Sequence, residues 1–108
     1  MQISVKSLGR TATARLAGEF DLTAAQEVRE QLDGLIDSGT SRLVVDLRRV
    51  SFLDSSGLGV LLARYRRISE RGGEMFLVGA QGGVRAVLEM SGVRQVMPLL
   101  ADESEVPR

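Results

Sequence analysis

The sequence predicts a single α/β domain, with a mixed central sheet of about five strands and three or four helices. Its 108 residues suit one domain and are too few for two. Its 44% apolar and 26% charged residues are ordinary for a globular chain and argue against long disorder. Segments with strand-like and helical spacing follow one another in the order β-β-α-β-α-β-α-β, which indicates a sheet with helical crossovers.

The first two strands are predicted to form a hairpin. Ile3 and Val5 alternate with polar neighbours, and the apolar residues of segment 12–16 do the same after Gly9. Strict alternation is typical of half-buried strands, and the glycine between them supplies the turn.

The first helix is expected to begin at Thr23, because Gln26 follows three residues later and completes a capping box. It should end before Gly39. One helical face carries its apolar residues, namely Ala25, Val28, Leu32, Leu35 and Ile36.

Residues 43–47 are almost continuously apolar and rich in β-branched side chains, which predicts a central parallel strand covered on both sides.

A second helix should span residues 55–69 and end at Gly72. Its predicted buried stripe contains Leu58, Leu61, Leu62, Tyr65 and Ile68. Its predicted solvent-facing stripe contains Arg64, Arg67 and Arg71. With Arg66 these arginines are expected to form a solvated face, the alternative being a phosphate-binding patch.

Residues 75–78 predict another buried strand, and a short third helix around residues 84–88 should close near Gly92. Residues 96–100 predict the last strand, which Pro98 would place at a sheet edge. The domain is therefore expected to span residues 1–100. Residues 101–108 should form a short acidic tail, solvated and frayed.

Composition excludes several classes of function. Without cysteine the chain has no disulfide, thiolate metal site or cysteine nucleophile, and without histidine it has no Ser-His-Asp chemistry. Fourteen basic and fourteen acidic residues cancel, so no charge footprint for nucleic acid or an anionic membrane is present. The longest apolar stretch, 58–63, is far too short to span a bilayer, and no signal peptide is visible. We expect a cytoplasmic protein with no cofactor and no metal; a monomer is favoured, and a homodimer stays open.

The segment 51–59, between the central strand and the second helix, lies where open α/β sheets bind ligands. Asp54 or Ser55 is well placed to cap the second helix, and a purely structural cap is the simplest interpretation. Two serines, however, stand where one cap is needed. A hydroxyl at a helix start is also a good phosphoacceptor, because a phosphate there meets free N–H groups and the positive end of the helix dipole.

Enzymatic motifs are incomplete. Gly57 and Gly59 begin a dinucleotide fingerprint, but the third glycine position holds Leu62, and neither a P-loop nor a nucleophile elbow is present. A paired-carboxylate hydrolase using Asp21, Asp46 or Asp54 remains a formal alternative. The sequence therefore favours a protein that is not an enzyme.

Residues 51–60, Ser-Phe-Leu-Asp-Ser-Ser-Gly-Leu-Gly-Val, resemble the signature of the STAS domain, in particular that of the bacterial anti-sigma-factor antagonists of the sporulation and general-stress type. Three further segments agree in order and spacing: Gly-Glu-Phe-Asp at 18–21, Gly-Gly-Glu-Met at 72–75 and Met-Ser-Gly-Val at 90–93. The resemblance covers roughly residues 1–100. One departure is the short, acidic C-terminus, where the family usually has another helix.

The resemblance implies a protein-binding switch. In the family, the unphosphorylated antagonist binds an anti-sigma factor that is also a serine kinase, which frees the sigma factor. Phosphorylation reverses the capture, and a PP2C-type phosphatase resets it. The acceptor matches Ser55, directly after the motif aspartate, Asp54. The other residues that match the partner-binding surface are Asp21, Ser56, Gly57 and Leu58.

Two other functions stay open. The same loop could be a fixed contact in a STAS scaffold subunit of a stress-sensing or transport assembly. Alternatively, the crevice near Asp21 and Asp54 could hold a nucleotide, although two carboxylates repel an anion unless a metal intervenes.

Overall fold

The computed structural model describes residues 1–107, and in this range it has the predicted mixed sheet of five strands and three α-helices. The strands are β1 (Gln2–Leu8), β2 (Thr11–Phe20), β3 (Arg42–Leu53), β4 (Glu74–Val78) and β5 (Leu99–Leu100). The helices are α1 (Leu22–Asp37), α2 (Ser55–Glu70) and α3 (Gly82–Ser91). Single 3₁₀ turns follow at Val93–Gln95 and Glu103–Glu105.

The sheet has the order β1-β2-β3-β4-β5, with β1 antiparallel to β2 and every other pair parallel. One core cluster joins apolar residues of all three helices to one face of the sheet, which we call the helical face. On the opposite, open face a smaller apolar cluster is formed by Val44, Phe76 and Val78. All three helices therefore cover the same side of the sheet.

The central strand is where it was predicted, between β2 and β4, but it continues well past residue 47 to Leu53. Its register against β2 shifts twice, between Arg15 and Ala17 and between Gly18 and Glu19. Each shift leaves an extra β3 residue opposite β2, as in a β-bulge. The bulges break the alternation of side chains, which is why the polar half of the strand resembled a loop.

The prediction that Thr23 caps the first helix is wrong, because the N-cap lies two residues earlier and α1 begins at Leu22. Asp21 is the N-cap, in an extended conformation, and its Oδ1 accepts a hydrogen bond of 3.1 Å from the backbone N–H of Ala24. The Gln26 side chain bonds Glu30 instead of reaching back to the helix start. A carboxylate is at least as good a cap as a threonine hydroxyl, and here it satisfies the free N–H group.

The arginines predicted to face solvent on the second helix lie against α1. Asp33 Oδ1 is 3.1 Å from Arg64 Nε and 2.9 Å from Arg67 Nη1. Asp37 pairs with Arg67 and, at 3.5 Å, with Arg71. The two helices pack side by side and bring acidic residues of one against basic residues of the other. The predicted solvated face is therefore largely an interhelical ion-pair network, in which Arg64 and Arg67 are half-buried, whereas Arg66 and Arg71 are exposed.

The last strand is shorter than predicted, although it does lie at the sheet edge. Only Leu99 and Leu100 pair with β4, because residues 93–95 form a 3₁₀ turn. The backbone N–H of Leu77 donates to the carbonyl of Pro98 at 3.1 Å, so the strand uses the proline only as an acceptor.

The tail is mostly exposed, as predicted, but it lies along the open face instead of standing free, and we call its residues 101–107 the C-terminal strap. Glu103 Oε1 accepts a hydrogen bond of 2.8 Å from Arg15, and Asp102 Oδ2 accepts one of 3.3 Å from Arg48. Val106 packs against the apolar cluster of the open face. No helix covers the open face within the described residues, and the strap covers part of its apolar cluster. The division into a domain of residues 1–100 and a tail stays a prediction.

Candidate functional site

The predicted site residues lie where two neighbouring strands pass into two neighbouring helices. Phe20 and Leu53 are register partners at the ends of the parallel strands β2 and β3. Asp21 and Asp54 follow them with almost the same backbone conformation, φ −107° and −110°. The two carboxylates and the N-termini of α1 and α2 are therefore brought to the same edge of the sheet.

Asp54 caps α2, which decides between the two candidates that the sequence left open. Its Oδ1 accepts hydrogen bonds from the backbone N–H groups of Ser56, at 2.9 Å, and Gly57, at 3.1 Å. The carboxylate is half-buried and satisfies two N–H groups that the helix itself leaves without partners.

Ser55 is the first residue of α2 and is exposed. Within residues 1–107 its hydroxyl forms no hydrogen bond, since Asp54 has taken the capping role. The hydroxyl is thus open to another molecule and stands at the positive end of the α2 dipole.

Gly57 has a structural reason to be glycine. A Cβ atom at this position would lie 2.6 Å from Leu53 Cδ1 and 2.7 Å from the Phe20 carbonyl oxygen. These are closer than any ordinary contact, so α2 can start this near to β2 and β3 only without a side chain there. Gly57 is buried, so its own contribution to this edge is to let α2 start close to the two strands.

The remaining predicted residues lie at the rim of the same edge. Ser56 and Leu58 are both half-buried, and Leu58 packs against the main core. Among the polar residues of the predicted site, Asp21, Asp54 and Ser56 are half-buried, and Ser55 is exposed.

Two apolar residues at this edge are missing from the sequence prediction. Leu22, the first residue of α1, is 75% exposed, and Phe52 on the bulged end of β3 is 47% exposed. Leu22 falls off the buried stripe at 24, 28, 32 and 36, so helical spacing could have identified it. Phe52 follows two register shifts, which the sequence pattern does not reveal.

A groove of about 510 Å³ runs along the start of α1 beside these residues. Its lining includes three carboxylates, those of Glu19, Asp21 and Glu27, together with Ser51. Such a groove suits a basic side chain of a partner and disfavours an anion.

The alternative of a paired-carboxylate hydrolase has no geometric support. Asp21 and Asp54 are occupied as helix caps, and Asp46 lies on the open face, where Arg15 and the backbone N–H of Arg48 contact it. Among residues 1–107, no group of acidic side chains is arranged to hold a metal ion. Within that same range, no helix has both the length and the apolar character to cross a membrane.

Comparison with known proteins agrees with the family that the sequence motifs resemble. The STAS domain model matches residues 2–106. The anti-sigma F factor antagonist of Paenibacillus polymyxa is 36% identical over 104 residues, which are 95% of this chain and 89% of that protein.

Two solved structures share the fold. The anti-sigma factor antagonist SpoIIAA in its unphosphorylated form has a TM-score of 0.83 and 30% identity, over 96% of this chain and 91% of that one. The Bacillus cell fate determinant SpoIIAA in the phosphorylated form has a TM-score of 0.76 and 27% identity, over 96% and 95%. The chain therefore belongs to the STAS domain family, within its group of anti-sigma factor antagonists, which are regulators and not enzymes.

Proposed function

We propose that the protein is a cytoplasmic anti-sigma factor antagonist switched by phosphorylation at Ser55. In its unphosphorylated form it binds an anti-sigma factor that is also a serine kinase, and the sigma factor is released. Phosphorylation of Ser55 by that kinase ends the binding, and a PP2C-type phosphatase restores it.

The observation that carries the proposal is the exposed Ser55 hydroxyl, without a hydrogen bond among residues 1–107, at the first position of α2. Leu22 and Phe52 expose apolar surface at the same edge, and exposed apolar surface next to polar groups is typical of a protein interface. A kinase can reach this hydroxyl, and a partner can cover it.

The surroundings of Ser55 explain how a phosphate would act. It would add about −1.5 to −2 charges at pH 7. The fold tolerates this charge, because the N-terminus of α2 offers N–H groups and a favourable dipole. A partner packed on the same edge would meet a bulky dianion beside Asp21 and the acidic groove. It would lose apolar contact, the phosphate would have to be desolvated, and any acidic group of the partner at this edge would be repelled. The solved SpoIIAA structures in both forms support this interpretation by similarity.

Three variants test the switch. Ser55→Ala should bind the purified anti-sigma kinase constitutively and resist inactivation by ATP, with stability within about 0.5 kcal/mol of the wild type, because Asp54 and not Ser55 caps the helix. Ser55→Asp should weaken binding, but less than the roughly hundredfold loss expected if the phosphate lowers the binding free energy by ~3 kcal/mol. Ser56→Ala is the matched control and should still be inactivated. Intact mass reports the phosphate, and titration reports the binding.

The outcomes are distinct. Phosphate on Ser56 with Ser55 unmodified would contradict the assigned acceptor. Tight binding to the kinase without phosphate on either serine would favour a scaffold role for the same edge.

A further inference from the structure

The open face of the sheet holds a cavity of about 370 Å³, formed by β1, β2 and the middle of β3. Its charged lining consists of Arg15, Asp46, Arg48 and Arg49, and Ser4 adds a hydroxyl. Since the helices lie on the other face, this cavity is separate from the edge that carries Ser55. Its volume is within the range of small-molecule sites.

The first bulge of β3 creates the concentration of arginines. In a regular strand, consecutive residues point to opposite faces. The register shift between the pairs Arg15–Asp46 and Ala17–Arg49 inserts one residue, so that Arg48 and Arg49 both line the cavity. Three guanidinium groups and one carboxylate give the cavity a formal surplus of two positive charges.

The C-terminal strap supplies two carboxylates against this surplus. Arg15 Nη2 donates to Glu103 at 2.8 Å, and Arg48 Nη2 donates to Asp102 at 3.3 Å. Arg49 forms no ion pair or side-chain hydrogen bond with any residue of the described chain. Asp46 has partners within the protein, since Arg48 N–H donates to its Oδ1 at 2.9 Å and Arg15 Nε lies 3.6 Å from its Oδ2.

We propose that this cavity binds a small phosphate-bearing anion, and that the carboxylates of Asp102 and Glu103 in the strap compete with this anion for Arg48 and Arg15. Guanidinium groups hold phosphate oxygens through paired N–H bonds, and a phosphate dianion matches the surplus of two charges. The competing pairs are exposed, with side-chain exposures of 48% and 37% for Arg15 and Glu103, so each adds little stability and can be displaced. Occupancy would lift the acidic part of the strap from the sheet.

The test is a titration of the full-length chain with inorganic phosphate at constant ionic strength, followed by calorimetry and by the NMR signals of the arginine Nε–H groups. The Asp102→Asn/Glu103→Gln double variant should bind phosphate about tenfold more tightly than the wild type, equivalent to ~1.4 kcal/mol. Glu105→Gln, which removes a charge from the same turn without touching these arginines, is the matched control and should bind as the wild type does. Adding Arg49→Gln to the double variant should reverse the gain.

A second titration with ribose 5-phosphate identifies the source of the phosphate. Tighter binding than that of inorganic phosphate indicates a phosphorylated metabolite, and equal binding indicates the free anion. Inorganic phosphate at about 10 mM saturates all but very weak sites. If the double variant shows no saturable binding up to that concentration, the proposal is overturned. Equal gains in the double variant and in Glu105→Gln, or no effect of Arg49→Gln, would also overturn it. Thermal melting of each variant checks whether the fold is intact.

Discussion

At the scale of single residues, both aspartates of the site cap a helix, a role that the sequence offered for Asp54 and did not predict for Asp21. Asp21 and Asp54 each hold the first turn of a helix through a carboxylate oxygen. A substitution at either position therefore changes the helix start together with the surface that a partner would meet. The two effects must be separated before binding data are interpreted.

Asp21 offers such a separation. Asp21→Ala should lower the free energy of unfolding by about 1 kcal/mol, because the N–H of Ala24 loses its acceptor. Asp21→Asn retains an acceptor oxygen and should stay within a few tenths of a kcal/mol of the wild type, since asparagine and aspartate cap helices about equally well. Urea denaturation measures both.

The same pair tests the partner surface. If the Asp21 charge contributes to binding, Asp21→Asn should weaken capture of the anti-sigma kinase while its stability is unchanged. Wild-type affinity in both variants would remove Asp21 from the proposed interface.

At the scale of elements, the contact between α1 and α2 depends on an arginine that is almost enclosed. The Arg64 side chain is only 11% exposed, and its Nε and Nη1 are buried without a hydrogen bond among the described residues. Its attraction to Asp33 is therefore Coulombic rather than a well-aligned hydrogen bond. Burial lowers the pKa of the Arg64 guanidinium, and the Asp33 carboxylate opposes this shift.

Removing the Asp33 charge should accordingly lower the stability of the fold. Asp33→Asn leaves the buried Arg64 without its counter-charge, and we expect a loss of about 1–3 kcal/mol of unfolding free energy. Asp37→Asn is the matched control, since the Asp37 side chain is 55% exposed and pairs of this kind contribute less than about 1 kcal/mol. Chemical denaturation of both variants measures the difference, and equal, small losses would show that Arg64 is adequately solvated.

At the scale of the whole molecule, the structure is asymmetric about its sheet. Three helices cover one face, whereas the other is covered in part by the C-terminal strap through Val106 and two ion pairs. A chain ending at Leu100 would expose Val44, Phe76 and Val78. We expect it to lose about 1–2 kcal/mol, which lowers Tm by roughly 5–12 °C in a domain of this size.

Calorimetry of the shortened chain measures this loss. Glu105→Gln in the full-length protein is the control, because it alters the strap without removing the apolar cover. An unchanged Tm in the shortened chain would mean that the strap contributes nothing to stability and that residues 1–100 are the whole stable domain.

The sequence predicted most of this fold because its helices and buried strands carry clear apolar periodicity. It failed where a tertiary contact decides the outcome. The arginines of α2 have the spacing of a solvent face, and only the packing of α1 beside α2 turns them inward. The bulged half of β3 and the strap have no periodicity at all, so Phe52 and Val106 could not be placed from the pattern.

The order of the strands in the sheet is also the order of the strands along the chain. Every strand after the first can therefore add to a neighbour that has already left the ribosome, and none must wait for a later segment. Synthesis delivers residues over seconds, whereas hairpins and helices form in microseconds. The first three strands and α1 are thus able to assemble before α3 exists, and hydrogen exchange on ribosome-stalled nascent chains of increasing length should show amide protection in β2 and β3 ahead of β5. Simultaneous protection of all strands would indicate that the sheet closes only as a unit.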